Sequence, residues 1–169
     1  PKWVHGLTQA NQWRICVLVD EAHNLLERGR SMYSASLDFR NFKGLPSSSP
    51  EVLKKSLRRI LRCWRELHAE QSTSYVVHSQ LPGKLIFALQ QAISAITEYL
   101  GEHPSGLDPA LQNAYFEATH FCRIAELFGE HSLFDCSLLP ARRQNAGRGS
   151  LLCIRNVLPA PFLEPRLRQ

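Results

Sequence analysis

The chain has 169 residues, 44% of them hydrophobic and 21% charged, with a net charge of +5. That is an ordinary globular composition, long enough for one domain with a core or for a piece of a larger one. No apolar run reaches the roughly 18 residues needed to span a bilayer, so no membrane partner is expected. The five cysteines are scattered without a C-x-x-C pair, which argues against a disulfide framework and makes a reducing cytoplasm the default location. The positive charge is moderate and permits a nucleic-acid partner without requiring one.

In chain order, residues 15–19 (ICVLV) read as a short buried strand. A helix is expected from about Ala22 to about Ser31. The segment MYSASLDF alternates weakly and suits a strand, and KGLPSSSP reads as a loop. The clearest helix follows, with Ser49 as its N-cap and Pro50 in its first turn. Leu53, Leu57, Ile60, Trp64 and Leu67 recur on it at helical spacing. STSYVVHSQLPG breaks that pattern. A second helix carries Leu85, Leu89, Ile93, Ile96 and Leu100 and ends before GEHPSG. A third starts with Asp108 as N-cap and Pro109 at its first position, and Leu111, Tyr115, Ala118, Cys122 and Ala125 line one side. ARRQNAGRGS reads as a basic loop, LLCIRNVL as an apolar strand, and PAPFLEPRLRQ as a turn into a helix. The expected fold is mainly α, with a small β contribution from flanking strands. A helical body between two buried strands suggests that most of their sheet is missing. The chain opens on Pro1 and stops at PRLRQ, and it reads as an excised fragment.

The tetrad Asp20-Glu21-Ala22-His23 stands directly after the expected first strand. Average residue frequencies produce it by chance in roughly one chain of this length in a thousand. An apolar strand ending in Asp-Glu is the Walker B arrangement of nucleoside triphosphatases, because ligands sit at the carboxyl edge of an open α/β sheet. In that reading Asp20 holds Mg²⁺, directly or through water. Glu21 orients and deprotonates the attacking water. His23 links the nucleotide site to neighbouring motor elements. The bland alternative is a strand that happens to end in acids.

VLVDEAHNL resembles motif II of superfamily 2 helicases, in the form found in DinG/XPD-type DNA helicases. The helix after it, the long helical stretch and the closing LCIRNVLPAPFLEPRL are similar to that family's run from motif II through its arch domain toward motif III. The resemblance implies an ATP-dependent helicase moving 5′ to 3′ on single-stranded DNA, with ATP and Mg²⁺ bound in the parent protein. It divides the chain into a motor-domain end at 1–24, an arch-like insertion at 25–149 and a return strand at 150–169. The chain has no G-x-x-x-x-G-K-[ST] loop, no motif III and no arginine-bearing second motor domain, so the isolated fragment is expected to be inactive. The family's four iron–sulfur cysteines precede motif II. A cluster is therefore left open for the parent and assigned to none of the cysteines here. The rest of the parent helicase and single-stranded DNA are the expected partners.

Lys54, Lys55, Arg58, Arg59, Arg62 and Arg65 cover the polar face of the first long helix and suit contact with a DNA backbone, against the alternative of a solvated face. Trp64 is nearby as a stacking candidate, although it falls on the apolar stripe. Arg142, Arg143 and Arg148 form a second basic patch. The spacing of His120, Cys122, His131 and Cys136 matches no standard zinc site, and His23 and Glu27 suit a helix-surface contact better than a metal pair. No cysteine sits in a recognisable nucleophile setting. The competing functional reading is a helical nucleic-acid-binding or protein-interaction module whose acids do no chemistry.

Overall fold

The computed structural model describes residues 10–12, 20–103, 106–140 and 149–167. The expected strand at 15–19 lies outside them. A single 3₁₀ turn, Ala22–Asn24, runs into α1 (Leu25–Met32). There follow β1 (Ala35–Asp38), the short helices α2 (Phe39–Lys43) and α3 (Leu45–Ser48), and α4 (Glu51–Glu70). Next come β2 (Tyr75–His78), α5 (Gly83–Glu102) and α6 (Pro109–Ala125). The described chain closes with β3 (Ser132–Leu139), β4 (Gly149–Asn156) and α7 (Ala160–Leu167). The fold is mainly α with a four-stranded antiparallel sheet in the order β1-β4-β3-β2.

The long helices form where apolar residues recur every three or four positions. On α4 the expected stripe is buried at Leu53, Leu57, Ile60 and Trp64, and Leu67 packs against the core edge. On α5, Leu85, Leu89 and Ile96 are buried, with Ile93 and Leu100 at the margin. On α6 the Asp108 carboxylate accepts from the Ala110 N–H at 3.0 Å, with Pro109 following it, as expected of that cap. Helices α4, α5 and α6 pack in succession, and α6 lies against β1.

One face of the sheet completes the core. Strand side chains alternate between faces, and the register aligns Leu37, Leu152 and Cys136 in one row and Ala35, Ile154 and Phe134 in the next. All six belong to the same buried cluster as the helical stripes. Trp64, at 0% exposure, ties the two layers together. Its indole N–H donates to the Ser150 hydroxyl on β4 at 2.9 Å. The same hydroxyl shares a hydrogen bond with His68 Nε2. Phe39 meets both Trp64 and His68 edge-on.

Four features depart from the sequence reading. LPSS is a helical turn rather than loop, because burying Leu45 and Pro46 outweighs the weak helix preference of serine. Ser49 does not cap α4; Pro50 occupies that position, and Ser49 is buried with its hydroxyl unpaired. Strand β3 was not anticipated. Its Asp135, at 0% exposure, interrupts the apolar pattern and is paired with Arg155. Finally, the strand at 149–156 is not a lone return strand awaiting a distant sheet. It is hydrogen-bonded on both edges, to β1 and to β3, inside this body.

The first and last described helices touch. Gly29 on α1 is so close to α7 that a Cβ there would meet Leu163 Cδ1 at 2.8 Å and Pro159 Cβ at 3.1 Å. Tyr33 stacks on Phe162 at 4.2 Å, and Arg30 Nε donates to the Val157 carbonyl at 3.3 Å.

Two stability predictions follow from the Trp64–Ser150–His68 group. Ser150→Ala strands a buried indole N–H and is expected to cost about 1–3 kcal/mol, read as a lower urea midpoint; an unchanged midpoint would show that this bridge does not join the layers. Burial holds the His68 imidazole below its ordinary value of 6.5. As pH falls below about 6.5 the unfolded chain gains a proton that the folded chain resists, so stability drops as pH falls from neutral through the ordinary imidazole range. The drop should be smaller in His68→Gln than in the wild type.

Candidate active site and candidate nucleic-acid interface

Asp20 and Glu21 sit at the head of the turn that becomes α1. Glu21 adopts the left-handed conformation, φ 52° and ψ 44°, which costs a non-glycine residue on the order of 1–2 kcal/mol. Two local hydrogen bonds offset it. The Glu21 N–H donates to Asp20 Oδ1 at 2.8 Å, and the Asn24 N–H donates to the Glu21 carbonyl at 2.8 Å. At roughly 0.5–1.5 kcal/mol each, they are of the same size as the strain. His23 Nε2 lies 3.1 Å from Glu21 Oε2, with side chains 73% and 62% exposed. A contact in that much solvent adds little stability. It places the His23 ring beside the Glu21 carboxylate.

The tetrad therefore presents two solvent-facing carboxylates. One accepts from a backbone N–H, and the other has a histidine beside it. Asp20 offers hard oxygen donors of the kind Mg²⁺ takes. One or two protein carboxylates, with substrate phosphates and water, are its usual ligand set at nucleotide sites. The donor set thus fits the cation, as a part of a site. Among the described residues, no group of three or more His, Cys, Asp or Glu is arranged to hold a metal alone. Glu27 does not meet His23; it pairs with Arg30 at 2.5 Å. His120 Nε2 contacts the Ser34 carbonyl at 3.2 Å, and His131 Nε2 the Leu127 carbonyl at 2.8 Å. Cys122 and Cys136 are buried, and desolvation pushes both thiols up to about 11.

The six basic residues of α4 divide into two sets. At 100° per residue they occupy an arc of roughly 140°, which no single ligand strand can cover. Lys54 is engaged with Glu51 at 2.7 Å, a hydrogen bond that holds the Glu51 carboxyl below the usual carboxylate range. Lys55, Arg58, Arg59 and Arg62 line one wall of a groove of about 1000 Å³ between α4 and α5. Lys54 and Arg65 stand outside it. The opposite wall comes from α5 through Phe87, Gln90, Gln91, Ser94 and Glu98. Arg59 spans the groove: its Nη1 donates to Gln91 Oε1 at 2.5 Å and its guanidinium lies 5.2 Å from the centre of the Phe87 ring.

Trp64 is sealed in the core and takes no part in this surface. The aromatic at the basic face is Phe87, which the sequence reading did not single out. A signal for it exists, since Phe87 lies off the Leu85–Leu89–Ile96 stripe of its own helix. Arg142, Arg143 and Arg148 fall outside the described residues. Among the described residues no helix is long and apolar enough to cross a membrane.

Comparison of the chain with protein-family models and with curated proteins finds no match.

Burial of the thiols makes a further prediction. In the folded chain at about pH 8, Cys122 and Cys136 should resist alkylation, because thiolate is scarce and access is closed. Peptide mass spectrometry should find both labelled only after unfolding; rapid labelling of either in the native chain would contradict their placement.

Proposed function

We propose that this chain is the motif II and arch segment of an ATP-dependent DNA helicase of the DinG/XPD type, which moves 5′ to 3′ along single-stranded DNA. The observation that carries the reading is the DEAH tetrad, with both its carboxylates held toward solvent at the head of a helix. Mg²⁺–ATP, when bound, supplies the phosphoryl group and the charge that neutralises it. Asp20 contributes a carboxylate to the cation, with Oδ1 fixed by the Glu21 N–H. Glu21 accepts the proton of the attacking water. His23, 3.1 Å from the Glu21 carboxylate, would in the parent link the nucleotide site to neighbouring motor elements. The phosphate-binding loop, the second motor domain and any iron–sulfur cluster belong to the parent protein. The basic surface of α4 favours single-stranded DNA as the partner.

The competing reading is an interaction module without hydrolysis. It draws on the α4–α5 groove alone, and leaves the tetrad without a role.

In the parent protein Glu21→Gln should lower ATP hydrolysis by about 100-fold or more while nucleotide binding persists, because it removes the proton acceptor and keeps Asp20. Near-normal turnover would remove Glu21 from the chemistry. The 169-residue chain alone should show no DNA-stimulated ATPase. Robust hydrolysis that Glu21→Gln abolishes would place the whole active site here and overturn the fragment assignment.

A further inference from the structure

We propose that the α4–α5 groove is a track for single-stranded nucleic acid in which Phe87 stacks against a base while Lys55, Arg58 and Arg62 contact the phosphates. The inference rests on the single-stranded partner proposed above and adds to it a specific path and an aromatic platform.

Charge comes first. The groove carries four cations against one carboxylate, Glu98, so it selects a polyanion. Lys55 to Arg62 spans about 10 Å along the helix axis, longer than a single phosphate group. A mononucleotide would leave part of that row without a phosphate.

The aromatic narrows the class. Phe87 is 50% exposed although α5 already buries Leu85, Leu89 and Ile96. Its ring is not needed by the core. It stands in the groove wall opposite the cations, where an oligonucleotide presents flat bases beside its phosphates. An acidic peptide supplies the charge without the planar rings. A duplex keeps its bases paired and stacked, and offers none to Phe87. Arg59 is already fixed by Gln91 and by the ring itself, so the cation nearest the platform needs no ordering when a strand binds. On the same wall Gln91 is engaged with Arg59 and the Ser94 hydroxyl donates to the Gln90 carbonyl at 3.1 Å, which predicts only weak discrimination between bases.

The test uses the 169-residue chain and no nucleotide hydrolysis, so its failure leaves the Glu21 assignment standing. Fluorescence anisotropy would compare a labelled oligothymidylate of about 12 nucleotides with an abasic strand and a duplex of equal length. The wild type should prefer the oligothymidylate to the abasic strand by about tenfold, the loss of roughly one stacked base. Phe87→Ala should erase that preference without changing the salt slope, and Phe87→Tyr should keep it; both sit at a half-exposed position, and far-ultraviolet circular dichroism confirms their folding. Arg58→Glu/Arg62→Glu should weaken binding to both strands and lower the slope of log K against log salt by about 1.4, the value for two phosphates on a single strand. Arg65→Glu, outside the groove, should keep the base preference. Equal wild-type affinity for oligothymidylate and abasic strand would overturn the proposal. So would Phe87→Ala retaining the preference, duplex binding as tightly as the single strand, or polyglutamate displacing the strand as well as unlabelled oligothymidylate does. The last result would reassign the groove to an acidic protein segment.

Discussion

The hydrogen bond from the Trp64 indole to the Ser150 hydroxyl fixes the helical layer to the sheet, and the orientation of the functional surface depends on it. A fully buried indole needs a partner for its N–H, so Trp64 can be sealed in the core only where a hydroxyl meets it. Ser150 lies on β4, and β4 is bonded on both sides. Locking α4 to this strand therefore locks it to β1 and β3 as well. The rotation of α4 about its axis is set by the same contact. With Trp64 turned to the sheet, Lys55, Arg58, Arg59 and Arg62 fall on the other side of α4 and line its groove with α5.

The carboxylate tetrad has the opposite character. It is held by a few local hydrogen bonds at the start of a helix and lies almost wholly in water. The body beneath it is densely packed, whereas the tetrad gains little from that packing. Residues placed in this way can be re-aimed by a ligand at small cost, because few buried contacts resist the change. The strain at Glu21 belongs to the same picture, since a left-handed non-glycine residue is held there by local hydrogen bonds alone.

The parts legible in the sequence were those with a local signal. The stripes of α4, α5 and α6 announced themselves by helical spacing, and Asp108-Pro109 marked a cap. The DEAH tetrad was marked as a candidate site by its letters alone, and its carboxylates are exposed. What was not legible depended on partners far away in the chain. Strand β3 places a buried carboxylate in its middle, where Arg155 on β4 pairs with it. The turn at Leu45–Ser48 is helical because the core accepts Leu45 and Pro46. The groove needs two helices side by side, so the cations of α4 were visible and their aromatic counterpart Phe87 was not. The backbone twist at Glu21 had no glycine to signal it.

The contact between Gly29 and the Pro159–Leu163 segment has a mechanical consequence. It brings α1 and α7, the first and last of the described helices, side by side. The tetrad opens the turn that runs into α1, whereas the groove lies between α4 and α5. A side chain at position 29 would have to wedge the two helices apart. The missing Cβ of one glycine thus sets how closely helices far apart in the chain approach.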